Sequence, residues 1–157
     1  MRNLGAKIGD NTRFIGSISH FSAEPYLVQI GENCLISDNV YFHTHDGGVK
    51  VLNGMGLFGE QAMDKAARIK VGNNCFIGSG ARIMGGVRIG DNCIVGAARI
   101  VTKDVPDGSV VAGMPARVIC TIEDYYERNR NRGFFYPTAR MNYQEKKAYL
   151  TRNVPEL

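Results

Sequence analysis

The sequence predicts an all-β chain: a parallel β-helix of hexapeptide repeats, with one protruding loop and a short helical carboxyl-terminal tail. Three observations predict it: a six-residue rhythm, the turn residues that punctuate it, and two segments where it stops. From Val71 to Pro106 the chain reads VGNNCF, IGSGAR, IMGGVR, IGDNCI, VGAARI, VTKDVP. Each unit opens on an aliphatic residue: Val71, Ile77, Ile83, Ile89, Val95 and Val101. IGENCL and ISDNVY open at Ile30 and Ile36, Phe42 follows in phase, and IGDNTR at Ile8 is a further copy. A helix needs a period near 3.6 and a plain strand a sustained period of two. Six residues fit a short strand plus a turn, the repeat of a parallel β-helix.

The turns carry residues suited to left-handed backbone angles: Gly-Asp-Asn at 9–11 and 90–92, Gly-Glu-Asn at 31–33, Gly-Asn-Asn at 72–74. Three units close one triangular coil. The openers point inward and meet the coil above at about 4.8 Å, the strand spacing. Stability then comes from coil-on-coil burial. Cys34, Cys75 and Cys93 each lie four residues after an opener, a slot that wants a small, mildly apolar side chain. None pairs as C-x-x-C with another cysteine or with Cys120, and free thiols are expected.

The rhythm breaks twice. His45 to Lys70 holds several glycines and no hexapeptide, so residues 46–70 read as a loop excursion from a β-helix domain of residues 1–119. Residues 120–157 form the tail. Thr121 with Asp124, and Asn142 with Glu145, have capping-box spacing and start two helices, with the aromatic run GFFYP between them. A β-helix end exposes unpaired rungs, so the expected role of the tail is a cap or a contact with a neighbouring subunit.

At 157 residues the chain is about one domain, and its net charge of +4 is mild. No Lys/Arg block tracks a nucleic-acid backbone, so no nucleic-acid partner is expected. There is no apolar leader and no run of ~18 apolar residues. A cytoplasmic location is expected, with at most peripheral membrane contact.

Two of the three histidines sit in the stretch YFHTHDGG, where rhythm gives way to excursion. Histidine suits a general base, because its ordinary pKa lies near neutrality. On an extended segment His43 and His45 point to the same side. With His20 they could form a three-imidazole zinc site. Two of them lie one residue apart in one coil and the third is well upstream, so no metal is expected.

The block IGDNCIVGAARIVTKDVPDGSVVAGMPARVI and the stretch FSAEPYLVQIGENCLISDNVYFHTHDGG together resemble the hexapeptide-repeat acyltransferases. The nearest branch is the saccharide O-acetyltransferases of capsule and O-antigen synthesis. The resemblance implies a left-handed coil, a homotrimer with sites in clefts between subunits, and acetyl-CoA as donor. It makes His45 the general base, with Asp46 orienting the imidazole or the acceptor. Glu24 falls where the family places acceptor-binding acids, and His43 would shape the acceptor cleft. Ser79 and Ala97 would line the pantetheine arm, with Phe76 packed beside it. Thr102, Lys103 and Arg117 would sit near the nucleotide end, where cations meet phosphates.

One departure stands out. Gly96-Ala97-Ala98-Arg99 replaces the family's Gly-Ala-Gly-Ser, so the Ala98 methyl would crowd CoA and Arg99 would project outward. The implied activity is acetyl-CoA-dependent O-acetylation of a saccharide for surface polysaccharide synthesis. The acceptor would be free, nucleotide-linked or lipid-linked. N-acetylation of an amino sugar is the nearest variant, and a catalytically silent trimeric scaffold is the alternative from another class.

Overall fold

A computed structural model of the chain describes residues 4–16 and 21–155. In chain order the strands are β1 (Lys7–Ile8), β2 (Arg13–Phe14), β3 (Val28–Ile30), β4 (Leu35–Ile36), β5 (Tyr41–His43), β6 (Ile69–Val71) and β7 (Phe76–Ile77). They continue as β8 (Arg82–Met84), β9 (Arg88–Ile89), β10 (Ile94–Val95), β11 (Ile100–Val101), β12 (Ser109–Ala112) and β13 (Arg117–Thr121). The helices are α1 (Val49–Gly54), α2 (Ile122–Asn131) and α3 (Tyr143–Asn153).

The strands form three faces of a coil. The first face runs β1-β3-β6-β9, the second β2-β4-β7-β10-β12-β13, and the third β5-β8-β11. Neighbours within a face are parallel, except β12 and β13. Registers align the hexapeptide openers. Ile8 meets Ile30, then Val71, then Ile89. Phe14 meets Ile36, Ile77, Val95 and Val111 on the second face, and Phe42 meets Ile83 and Val101 on the third. From Ile30 onward every opener is buried, at no more than 2% exposure. Ile8, in the first coil, is only half-buried.

The other hexapeptide positions follow from the same stacking. Asn11, Asn33, Asn74 and Asn92 all take φ between 52° and 58°, as the turn composition requires. Asn39 and Ala98 join them at φ 55° and 56°. The glycine after each opener has a different cause. A Cβ at Gly9 would lie 2.6 Å from the Gly31 carbonyl carbon, and one at Gly78 would lie 2.6 Å from the Ala97 nitrogen. The backbone of the next coil occupies the space a side chain would need. The cysteine slot is equally tight. Cys34, Cys75 and Cys93 are free, buried thiols, and their Sγ atoms approach the carbonyls of Gly72, Gly90 and Pro106 in the following coil at 3.1, 3.0 and 3.1 Å.

The excursion leaves the coil after His45 and includes α1. It is pinned at its base by an antiparallel bridge between His45 and Ala66 and by Ala67 N–H donating to the Thr44 carbonyl at 2.8 Å. β6 starts at Ile69, within the segment the sequence marks as loop. At the far end β13 turns back antiparallel on β12, with an irregularity between Val110 and Val111. The chain divides into two compact units, residues 1–123 and 124–157. In the second, α3 opens with a complete capping box. Asn142 accepts from the Gln144 and Glu145 N–H groups at 3.0 Å, and Glu145 accepts from the Asn142 N–H at 3.0 Å.

Two stability outcomes follow. Ile77→Ala removes a fully buried opener flanked by coils on both sides and should cost about 2–5 kcal/mol in urea unfolding. Ala98→Gly relieves a left-handed alanine and should raise stability by up to about 1 kcal/mol, since the roughly 1–2 kcal/mol left-handed cost outweighs glycine's added chain entropy.

Candidate active site

His45 is placed from two sides, its backbone by the bridge to Ala66 at the base of the excursion and its side chain by Glu24. Through β5 and the two residues after it burial alternates, with Phe42 and Thr44 buried and His43 and His45 half-buried. A parallel bridge joins Phe21 to Phe42, and the same register carried three residues on sets Glu24 in the coil below His45. Glu24 Oε1 lies 3.3 Å from His45 Nδ1. The other carboxylate oxygen accepts the Thr44 hydroxyl at 3.0 Å, and Thr44 is 1% exposed. A carboxylate on Nδ1 holds the proton there and leaves Nε2 as the free acceptor, the tautomer a general base needs. Sequence reasoning missed Thr44, whose only signal is its inward position between two outward histidines.

Asp46 is engaged elsewhere. Its Oδ2 receives Lys65 Nζ at 2.6 Å and its Oδ1 receives the Gly48 N–H at 2.9 Å. The Lys65 ammonium, then the Gly48 N–H, hold this carboxyl below the usual carboxylate range. Thus Glu24 contacts the imidazole, whereas Asp46 ties the two ends of the excursion together. His43 stacks on Tyr41 with ring centroids 6.0 Å apart, and the Arg82 guanidinium lies 4.1 Å over the Tyr41 ring. Burial, followed by the Arg82 charge, pushes the His43 pKa down. His43 therefore favours its neutral form.

The residues expected to hold a donor lie at both corners of the third face and on the second face. Ser79, Ala97 and Ala98 lie at the corner between β7 or β10 and the third-face strands. Ser79 Oγ shares a hydrogen bond with Ser37 Oγ at 2.7 Å, and Ala98 N–H donates to the Ser79 carbonyl at 2.7 Å. Thr102 and Lys103 follow β11. Extending its register places Thr102 over Met84 and His43, in the column beside His45. Phe76 projects from the second face beside a groove of about 450 Å³ that it lines with Leu35, Asn74 and Ile94. Arg117 is exposed on β13, and its guanidinium donates to the Ala116 carbonyl at 2.8 Å. Arg99 does not project freely: its Nε is buried without a hydrogen-bond partner, against Gly96.

Residues 68–98 match the family described as bacterial transferase hexapeptide, six repeats. Protein CapG of Staphylococcus aureus is 43% identical across 99% of this chain and 88% of its own length. The chain belongs to the hexapeptide-repeat transferases.

Other relatives in this family carry acetyltransferase names. The galactoside O-acetyltransferase of Escherichia coli K12 is 39% identical over 78% of this chain, which spans 58% of that enzyme. Among solved structures, a maltose O-acetyltransferase of Clostridium difficile 630 aligns with a TM-score of 0.52 and 25% identity, over 76% of this chain and 71% of its own. A Neisseria gonorrhoeae serine acetyltransferase aligns with a TM-score of 0.54 and 26% identity, over 74% of this chain but 39% of its own. The coil is left-handed, as in these hexapeptide transferases, against the usual right-handed crossover. Among the described residues no group of three His, Cys, Asp or Glu side chains could hold a metal ion, and His20 lies outside them.

Glu24→Gln should keep the fold and lower kcat about ten- to a hundredfold, less than the 10²–10⁴ supplied by a general base itself. Thiol-release kinetics beside thermal unfolding check this. His43 should titrate by NMR below the ordinary histidine value, and Arg82→Ala should raise its pKa. Its contribution to stability is present above the unfolded-state pKa and is lost as pH falls towards the folded one.

Proposed function

We propose that this chain transfers the acetyl group of acetyl-CoA to a hydroxyl of a saccharide in surface polysaccharide synthesis, with His45 as general base. The observation that carries the reading is the Glu24–His45 contact at 3.3 Å, backed by the buried Thr44 hydroxyl. His45 Nε2 takes the proton of the acceptor hydroxyl as its oxygen attacks the thioester carbonyl. The imidazolium, steadied by Glu24, returns that proton to the sulfur as the C–S bond breaks. The products are an acetyl ester and free CoA thiol.

The saccharide class is supported by the names of the galactoside and maltose enzymes and by the exposed polar rim around His45. Asp46 and His43 would border the acceptor. On the donor side, Phe76, Ser79, Ala97 and Ala98 would hold the pantetheine arm, with Thr102, Lys103 and Arg117 near the phosphates. Lys103 and Arg117 are exposed cations, as a phosphate-binding role needs. Ala98 N–H is already used within the coil, so the Ala98 methyl, and not a lost donor, is what distinguishes this cleft from the family's glycine. Because these donor residues are spread over the second face and both corners of the third, we assign the complete site to a cleft between copies in a homotrimer.

Calorimetry with acetyl-CoA, followed by thiol release with a panel of sugars, tests the reading. Wild type and His45→Ala should both bind, and only wild type should release thiol at an appreciable rate. Failure of wild type to bind acetyl-CoA would favour a silent scaffold.

A further inference from the structure

Residues 124–157 are a fifth of the chain, yet they hold seven of its fourteen aromatic residues and seven of its nineteen Lys and Arg residues. Neither α2 nor α3 buries a residue. Thr138 is the single buried side chain between 124 and 155. Tyr126, Phe134, Phe135 and Tyr143 are exposed by 49–75%. A unit this size with no buried apolar residue does not offset its own ordering entropy, so its apolar surface is built for something else.

The chemistry of that surface narrows the partner. Tyr126 and Phe135 stack at 5.7 Å, Arg130, paired with Glu127 at 2.9 Å, lies 5.7 Å over the Tyr126 ring, and Arg132 lies 5.9 Å over Phe134. Aromatic rings interleaved with long cationic stems match a bilayer interface, where rings sit at headgroup depth and cations meet anionic lipid. The net charge of this segment is +3, against +1 for the rest of the chain, so a second copy supplies no acidic excess to match it. The described helices are too short and polar to span a bilayer, so contact is lateral.

We propose that the carboxyl-terminal unit docks on a bilayer containing anionic lipid. This rests on the proposed function only in one respect: it selects a lipid-linked saccharide, held at the membrane surface, as the acceptor.

The test is flotation of the full chain with vesicles of phosphatidylcholine alone and with about one-third phosphatidylglycerol, at low and high salt. Binding should need phosphatidylglycerol and fall with salt. The charge variant Arg128→Glu/Arg130→Glu/Arg132→Glu, and separately Phe134→Ser/Phe135→Ser, should each lose about tenfold or more in partitioning. Acetyl-CoA binding by calorimetry and mass by light scattering should stay unchanged in both. No flotation, or equal flotation on both vesicles, overturns the proposal. Variants that change the mass overturn it too, by showing that the surface joins copies of the chain. Flotation without acetyl-CoA binding in wild type would leave docking standing and sink the acetyl-transfer reading instead.

Discussion

The coil among residues 4–16 and 21–123 depends on the register between successive turns of chain. A coil rises by one strand spacing, about 4.8 Å, so every position has a fixed neighbour above and below. That constraint explains the aliphatic openers, which bury one another: Ile36, Ile77 and Val95 each show 0% exposure. It explains the glycines, whose absent Cβ leaves room for the next coil's backbone. It also explains the asparagines, five of which turn corners at positive φ. No single contact is strong, and stability accumulates because each row is extended by the next.

The same register builds the site. Glu24 and His45 each lie three residues beyond the bridged pair Phe21 and Phe42, and their side chains meet there. Thr44 points inward because burial alternates through β5 and the two residues after it, and from there its hydroxyl reaches the Glu24 carboxylate. His45 is thus held between Glu24 and the bridged base of the glycine-rich excursion. Such placement limits the motion of the imidazole, which is what a general base requires.

Much of this was legible in the sequence, and the reason is physical. A hexapeptide is a local pattern in which opener, glycine, asparagine and cysteine each answer to a steric condition. The β-helix, the inward openers and the free cysteines could be read directly, as could the α3 cap from Asn142 and Glu145. The Glu24–His45 contact could not. Regular coils repeat every eighteen residues, as Ile77 and Val95 do, but Glu24 and His45 are twenty-one apart. The turn at Pro25–Leu27 lengthens that coil and breaks the count. Asp46 looked like the natural partner because it is adjacent in sequence, whereas its carboxylate faces Lys65 across the excursion. β13 was illegible for a related reason: its pairing with β12 is antiparallel and irregular, so no six-residue phase predicts it.

The central claim is that the coil register makes Glu24 and His45 one catalytic unit. A double-mutant cycle on the single-turnover rate of thiol release, with Glu24→Gln, His45→Ala and the pair, measures this most directly. The account predicts strong non-additivity: once His45 is gone, removing the Glu24 charge should cost almost nothing further. Losses that simply add would contradict it, and would place Glu24 on the acceptor instead of on the base.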